Sequence, residues 1–305
     1  MARPRIVVIG SCMMDLVARV PRLPTLGESL VGHSFARAVG GKGCNQAIAA
    51  ARLGAEATLI AKVGDDAFGA EIVAYARSSG VDCRFVVVDP AVTTGVAIPL
   101  VTDSGDNAIV AIPQANFALT RAEVNAAEGA LRAADIVVMQ LEVAMEANWA
   151  ALEIARSANV PVILNTAPYA PMSMEELARF DYIVANEVKA ALLAPGSADA
   201  ADQARALGAV ARLAGIVTLG ADGAFVCRGT EPEHHPAFAV RSVDSVGAGD
   251  AFCGALAIAL ASGGDLSHAV AFAQAAGALS VTRSGAAASL PTRDEIEAFL
   301  AIHAA

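Results

Sequence analysis

The residues most suited to chemistry are Gly247, Ala248, Gly249 and Asp250, which stand directly ahead of the nearly non-polar run AFCGALAIALA. A helix beginning here would carry about half a positive charge at its tip, together with several unpaired amide groups. Gly247, Ala248 and Gly249 put little bulk in the way, so those amides could surround an anion. If the anion is a phosphoryl group in transit, they stabilise charge as it spreads in the transition state. Asp250 then lies within reach of an attacking hydroxyl, where it can orient that group and accept its proton. The competing reading makes Asp250 an N-cap and the glycines a plain turn.

Other polar clusters follow strand-like runs. Asp15 ends GSCMMD, where an aspartate is either a ligand or a cap or turn residue. In AVGGKGCNQAIAAARLG, Gly40, Gly41 and Gly43 allow close approach of backbone to a ligand, and Asn45 falls in a first helical turn, able to bond a hydroxyl. Lys42 of this segment is one of only three lysines, against eighteen arginines. GxxxxGK[ST] is not satisfied, so this is no Walker A loop. Glu142, in QLE, either accepts bonds from two sugar hydroxyls or caps the next helix. Thr218, Gly220 and Gly223 in TLGADGA suit approach to a flat ring, and equally an ordinary turn.

Short apolar runs must position these residues. RIVVIG, ATLIAKVG, DIVVMQLE, PVILNTAP, DYIVANE and GIVTLG read as strands buried on both faces, and AFVCRG as a further strand. CNQAIAAARLG, FGAEIVAYARSSG and ADQARALGAVARLAG read as helices closed by glycine. This alternation predicts an α/β fold, a mostly parallel central sheet with helices on both faces. Ligands then bind beyond the carboxyl ends of the strands. Residues 13–36 and 93–115 break the pattern with Pro and Gly punctuation, the second as a hairpin around DSGDN. They are expected to form a small β-sheet lid on a core of residues 1–12, 37–92 and 116–305. Exposed lid strands would invite pairing with a second copy as a homodimer.

The chain has 305 residues, 55% of them hydrophobic, enough for a large core. Its formal net charge of −10, with both signs interspersed, argues against nucleic-acid or anionic-membrane partners. Five cysteines with no CxxC pair read as apolar fillers in a reducing compartment. MARPRIVVIG lacks the apolar segment and cleavage site of a signal peptide, and no apolar stretch reaches the ~18 residues of a membrane span. A cytoplasmic protein is expected. His234 and His235, in the polar stretch TEPEHHPAF between strands, read as solvated loop residues with no assigned role.

The order of these clusters resembles that of the ribokinase-like sugar kinases, the phosphofructokinase-B family, from about Ile6 to Leu300. GSCMMD, GGKGCN, QLE, ANE, TLGADG and DSVGAGDAF carry the resemblance. It implies transfer of the γ-phosphoryl group of ATP to a sugar's primary hydroxyl, with the 5-hydroxyl of D-ribose as leading acceptor. Fructose, a keto-deoxy sugar acid or a nucleoside are alternatives within the family, and a non-catalytic sugar sensor is one outside it. By likeness, Asp250 is the base and Gly247, Ala248 and Gly249 the anion hole, while Met13, Asp15, Gly41, Lys42, Gly43, Asn45 and Glu142 hold sugar. Asn186, Thr218, Leu219, Gly220, Asp222, Gly223 and Gly249 match the nucleotide side, with Gln274 near adenine. Asp244, Val246, Ser280, Arg283, Gly285 and Ser289 match a loop that holds K⁺ largely through backbone carbonyls. Mg²⁺ is implied alongside ATP.

Three positions depart from the family pattern. Met13 replaces a common asparagine, removing one bond to the sugar. Lys189 stands where NxxE places a glutamate that influences Mg²⁺ and phosphate; a cation there would repel the metal and attract phosphate, while Glu187 could partly substitute. Ser245 replaces threonine and keeps the hydroxyl. Neither GSCMMD nor GAGDAF completes GxGxxG, which argues against a Rossmann dehydrogenase.

Overall fold

The computed structural model describes residues 3–104 and 107–303. Its strands are β1 (Arg5–Ile9), β2 (Met13–Val20), β3 (Ser34–Gly40), β4 (Glu56–Gly64), β5 (Asp82–Asp89), β6 (Gly95–Thr102), β7 (Asn107–Ile112), β8 (Ile136–Met139), β9 (Val162–Asn165), β10 (Tyr182–Asn186), β11 (Ala214–Thr218), β12 (Ala224–Arg228) and β13 (Glu231–His235). Nine form one sheet in the order β13-β12-β11-β10-β9-β8-β1-β4-β5, and four form a second, β3-β2-β6-β7. The large sheet is parallel from β11 through β5, with β12 and β13 closing one edge antiparallel.

Alternation along β1 shows why the strand reads as uniformly apolar. Ile6 and Val8 enter the core under the helices Lys42–Arg52, Ala248–Ala261 and Leu266–Val281, whereas Val7 and Ile9 enter the core on the opposite face with Met145–Ser157 and Ala200–Val210. Ile6 and Ile9 are both fully buried, and each contributes about 2 kcal/mol of hydrophobic stabilisation. From β1 the sheet continues to β4 on one side and to β8 on the other. The order reverses at that point, opening a crevice at the carboxyl ends of β1 and β8 where ligands of such sheets bind.

The small sheet overhangs this crevice, and its pleat decides what faces the site. Met13, Asp15, Val17 and Arg19 of β2, Ala97, Pro99 and Val101 of β6, and Ile109 and Ala111 of β7 all line the cleft. These are alternate residues, as period-two strands require. At its base the sheet rests on the helix Ala67–Ser78, where Arg37 pairs with Glu71 at 3.0 Å.

Several sequence expectations need correction. Gly54 and Gly80 follow their helices at φ 97° and 89°, but Gly215 closes no helix; it lies within β11, after a helix that ends at Val210. A Cβ on Gly215 would come 2.4 Å from the Gly208 amide, so close helix–strand packing explains that glycine. β3 runs to Gly40, past residue 36, because Met13 through Arg19 pair continuously with Gly40 through Ser34. His234 and His235 belong to β13 rather than a loop: His234 shares a 2.7 Å bond with the Asp222 carbonyl and packs against Phe225. DCRFVVVD forms the parallel edge strand β5, unexpected because its flanking charges mask the apolar run. The expected DSGDN turn includes residues 105 and 106, which lie outside the described residues.

Candidate active site

The helix Ala248–Ala261 begins at Gly247, whose φ of 84° is left-handed, a region few side chains tolerate. No side chain caps this end. A Cβ on Gly247 would lie 3.0 Å from the Ala286 backbone, whereas one on Gly249 would meet nothing within 4 Å. Gly247 is therefore fixed by conformation and Gly249 keeps space open ahead of the first-turn amides. Asp250 is not the N-cap. Its carboxylate is 5% exposed and turns to the helix Lys42–Arg52: Asn45 Nδ2 donates to Oδ2 at 2.9 Å and Gln46 Nε2 to Oδ1 at 2.9 Å.

Opposite lies the polar set gathered by β1, β2 and β8. Asp15 sits within β2 rather than in a βα loop, because the chain leaving β1 enters the small sheet instead of a helix. Glu142 leaves the following helix uncapped and accepts the Lys42 amide at 3.0 Å, together with a short bond from the Ser11 hydroxyl. Gly41, at φ 88°, starts the Lys42–Arg52 helix so close to β2 that a Cβ would lie 2.7 Å from the Met13 amide. Gly40 makes room for Asp15, and Gly43 lets the helix touch Gly10, where a Cβ would approach the Gly10 carbonyl carbon to 2.4 Å. These glycines thus set close packing around the site.

A cleft of about 710 Å³ joins the two sides, lined among others by Met13, Asp15, Lys42, Asn45, Glu142 and Asp250. Asn45 is buried; its amide nitrogen is engaged by Asp250, but its Oδ1 has no donor among the described residues. Such an orphaned acceptor fits a hydroxyl-bearing ligand. Burial, then the neighbouring Glu142 and Asp250 carboxylates, push the Asp15 acid up to about 7, opposed by Lys42. The Lys42 ammonium is held above its ordinary range, chiefly by Asp250 and further by Glu142. Three carboxylates facing one lysine give a site that can accept hydrogen bonds from several hydroxyls while retaining a cation.

The loop beside the helix tip is built from two segments. Asp244 accepts the amides of Val246 at 3.0 Å and Gly285 at 2.9 Å, and the buried Ser280 and Ser289 hydroxyls bond each other at 2.7 Å. Arg283 is turned away, paired with Glu295 at 2.6 Å. These side chains tie the two segments of the loop together.

Asn186 and Thr218, expected from the sequence to border a nucleotide, are partners across β10 and β11, at their carboxyl ends. Asn186 caps the Glu187–Leu193 helix through the Lys189 amide at 3.0 Å. Leu219, Gly220 and Asp222 form the short turn into Gly223, which has φ 91°; a Cβ there would strike the His235 carbonyl at 2.1 Å. Gln274 donates to that same carbonyl at 2.8 Å, so its amide fastens β13 to the Leu266–Val281 helix. None of these residues lines the 710 Å³ cleft.

A family model described as pfkB family carbohydrate kinase matches residues 3–293. The chain belongs to the pfkB carbohydrate kinases. It is 38% identical to a ribokinase of Bacillus subtilis over 97% of this chain and 99% of that one. It is 34% identical to a deoxyribokinase of Salmonella typhimurium, over 98% and 99%. The structure of Arabidopsis thaliana ribokinase complexed with ribose and ATP superposes with a TM-score of 0.88 at 28% identity, covering 98% of this chain and 99% of that chain.

In this pfkB kinase two features escaped the sequence reading. Ser11 and Gln46 sit inside motifs already singled out, GSCMMD and GGKGCNQ, yet nothing in spacing alone shows that one grips Glu142 and the other Asp250. Lys189 is half-buried and makes no ion pair among the described residues. Burial, and then the positive Lys42, hold its pKa below the ordinary range. Its charge therefore reaches into the site. Among the described residues no helix is long and apolar enough to cross a membrane.

Proposed function

We propose that this kinase transfers the γ-phosphoryl group of ATP to the 5-hydroxyl of D-ribose, giving ribose 5-phosphate and ADP. The observation that carries the reading is the placement of the Asp250 carboxylate, fixed by two amide donors, at the first turn of an uncapped helix and on the same cleft as Asp15, Asn45 and Glu142. The ribokinase names of full-length relatives support ribose as acceptor.

In this reading, Asp15, Asn45 and Glu142 bind the sugar hydroxyls and turn the 5-hydroxyl toward Asp250. The hydroxyl oxygen forms a bond to the γ-phosphorus as the bond to the bridging oxygen of ADP breaks, and its proton passes to Asp250. The first-turn amides of Gly249 and Asp250, with Lys42, hold the negative phosphoryl oxygens. The small sheet acts as a lid whose cleft-facing residues exclude water. Asn186, Thr218 and the turn to Gly223 border the nucleotide.

Mg²⁺ needs only one or two protein carboxylates beside phosphate oxygens, which Glu187 would supply directly or through water. Bound there, it would neutralise phosphate charge. The loop at Asp244, Val246 and Gly285 suits K⁺, because its side chains are engaged and its carbonyls are left for a large, hard cation.

A second acceptor is favoured by one specific likeness, that to a deoxyribokinase. A panel of D-ribose, 2-deoxy-D-ribose, fructose, a keto-deoxy sugar acid and a nucleoside, assayed by ADP release with and without K⁺, decides it. Ribose is expected to give the highest kcat/KM. A tenfold preference for any other acceptor overturns the assignment.

A further inference from the structure

Behind the reacting carboxylate runs a line of buried amides that the reaction scheme does not use. Gln46 Nε2 donates to Asp250 Oδ1, and Gln140 Nε2 donates to Gln46 Oε1. Asn148 Nδ2 then donates to the Gln140 backbone carbonyl at 2.7 Å. Gln46, Gln140 and Asn148 are each 0% exposed. They come from three separate segments: the helix after β3, the end of β8 and the helix Met145–Ser157.

Charge fixes the direction of this line. An aspartate serving as base is acceptor-only, so Gln46 must present its NH₂ group to Asp250. Its carbonyl then faces Gln140, which must in turn present NH₂. Gln140 Oε1 is left over, buried and, like Asn148 Oδ1, without a donor among the described residues. It lies against Gly10, where a Cβ would fall 1.9 Å away, so only glycine there lets the amide fit. A core seldom retains an unpaired carbonyl unless the arrangement serves something else. Gln140 and Gln46 each aim an amide N–H along the line toward the carboxylate, while Asn148 holds the Gln140 backbone in place.

We infer that Gln46 is a positioning residue for phosphoryl transfer, and that Gln140 holds it: the amide line locks Asp250 so that Oδ2, beside Asn45, faces the acceptor hydroxyl. Asn45 alone could not do this, because a single bond leaves the carboxylate free to rotate. Gln46 is not itself part of the cleft lining and touches the site through Asp250. Its loss should lower kcat and leave KM for sugar in place.

The inference rests on Asp250 being the base, so the experiment separates the two claims. Initial rates of ribose-dependent ADP release are measured from pH 5.5 to 8.5 for the wild type, Gln46→Met, Gln46→Glu and Gln140→Met, with thermal melts of each. Displacing a reacting group by about 1 Å costs on the order of 100-fold. Gln46→Met should therefore lose 30- to 100-fold in kcat (order of magnitude) with sugar KM within about threefold, and Gln140→Met should lose less, about tenfold. Gln46→Glu supplies a donor only while its carboxylic acid is protonated, so its activity relative to wild type should recover at acid pH, where Gln46→Met does not. A Gln46→Met kcat within about threefold of wild type, or parallel pH profiles for the two Gln46 variants, overturns the inference while wild-type turnover of ribose leaves the kinase assignment intact. If Gln46→Met does not fold, the Gln46→Glu profile decides alone: recovery at acid pH supports the inference and a flat ratio refutes it.

Discussion

Asn45 and Asp250 stand 205 positions apart in the chain, yet Asn45 Nδ2 lies 2.9 Å from Asp250 Oδ2. The bond joins the first turns of two helices that both point toward the same strand ends. The nitrogen of this amide steadies the carboxylate; in the proposed reaction its oxygen, which has no donor among the described residues, turns to the acceptor hydroxyl.

Replacing Asn45 with leucine keeps the volume and removes both functions. A lost neutral bond to the sugar is worth about 0.5–1.5 kcal/mol, so sugar KM should rise about two- to tenfold, and loosening Asp250 should lower kcat as well. Initial-rate kinetics at saturating ATP check this, and the KM for ATP should stay within about threefold.

Asp15 makes the free enzyme sensitive to pH. Its folded pKa of about 7 lies above the ordinary aspartate value, so the folded state holds this proton more tightly than the unfolded chain. The associated stability is complete below about pH 4 and is lost as pH rises through about 7. Denaturant midpoints of the sugar-free protein should therefore fall across that window, and Asp15→Asn should flatten this part of the slope. Ribose affinity should move the other way, because the ionised carboxylate is the better acceptor for hydroxyls. Calorimetric titrations are expected to tighten from pH 5.5 to 7 and level off above 8.

Lys189 offers a half-buried cation, without an ion-pair partner among the described residues, within electrostatic reach of Lys42. If it meets a phosphate oxygen, Lys189→Gln should raise the KM for ATP about tenfold at unchanged sugar KM. Lys189→Glu should instead lower the Mg²⁺ concentration needed for half-maximal rate. A Mg²⁺ titration of the three proteins checks both.

The back of the small sheet exposes Phe35 at 67% and Val110 at 58%, on the face turned away from the cleft. We propose that a second copy of the chain covers it. Sedimentation velocity should show a dimer for the wild type and a monomer for a Phe35→Asp, Val110→Asp variant.

The sheet was legible in the sequence where physics gives a strong signal. RIVVIG and DYIVANE are apolar on both faces because helices cover both sides, and strands of this kind stand out as continuous runs. β13 did not stand out, since EPEHH is an exposed edge strand with little to bury. The site was legible as a set of residues but not as a geometry. GAGD and GGKGCN announce anion and hydroxyl chemistry; that Asp250 would turn from its own helix end to Asn45 and Gln46 depends on a crossing between two distant helices, which no local pattern encodes. Glycines misled for the same reason. Gly43 and Gly223 look like ligand-approach residues, but each is required by backbone of this chain, at Gly10 and His235.

The most direct test of the whole account is Asp250→Asn, which keeps the shape and removes the proton acceptor. General-base catalysis is worth about 10²–10⁴-fold, so kcat for ribose-dependent ADP release should fall about a thousandfold while calorimetric ribose affinity stays within about threefold. A variant that retains a tenth or more of the wild-type rate would contradict the role given to Asp250.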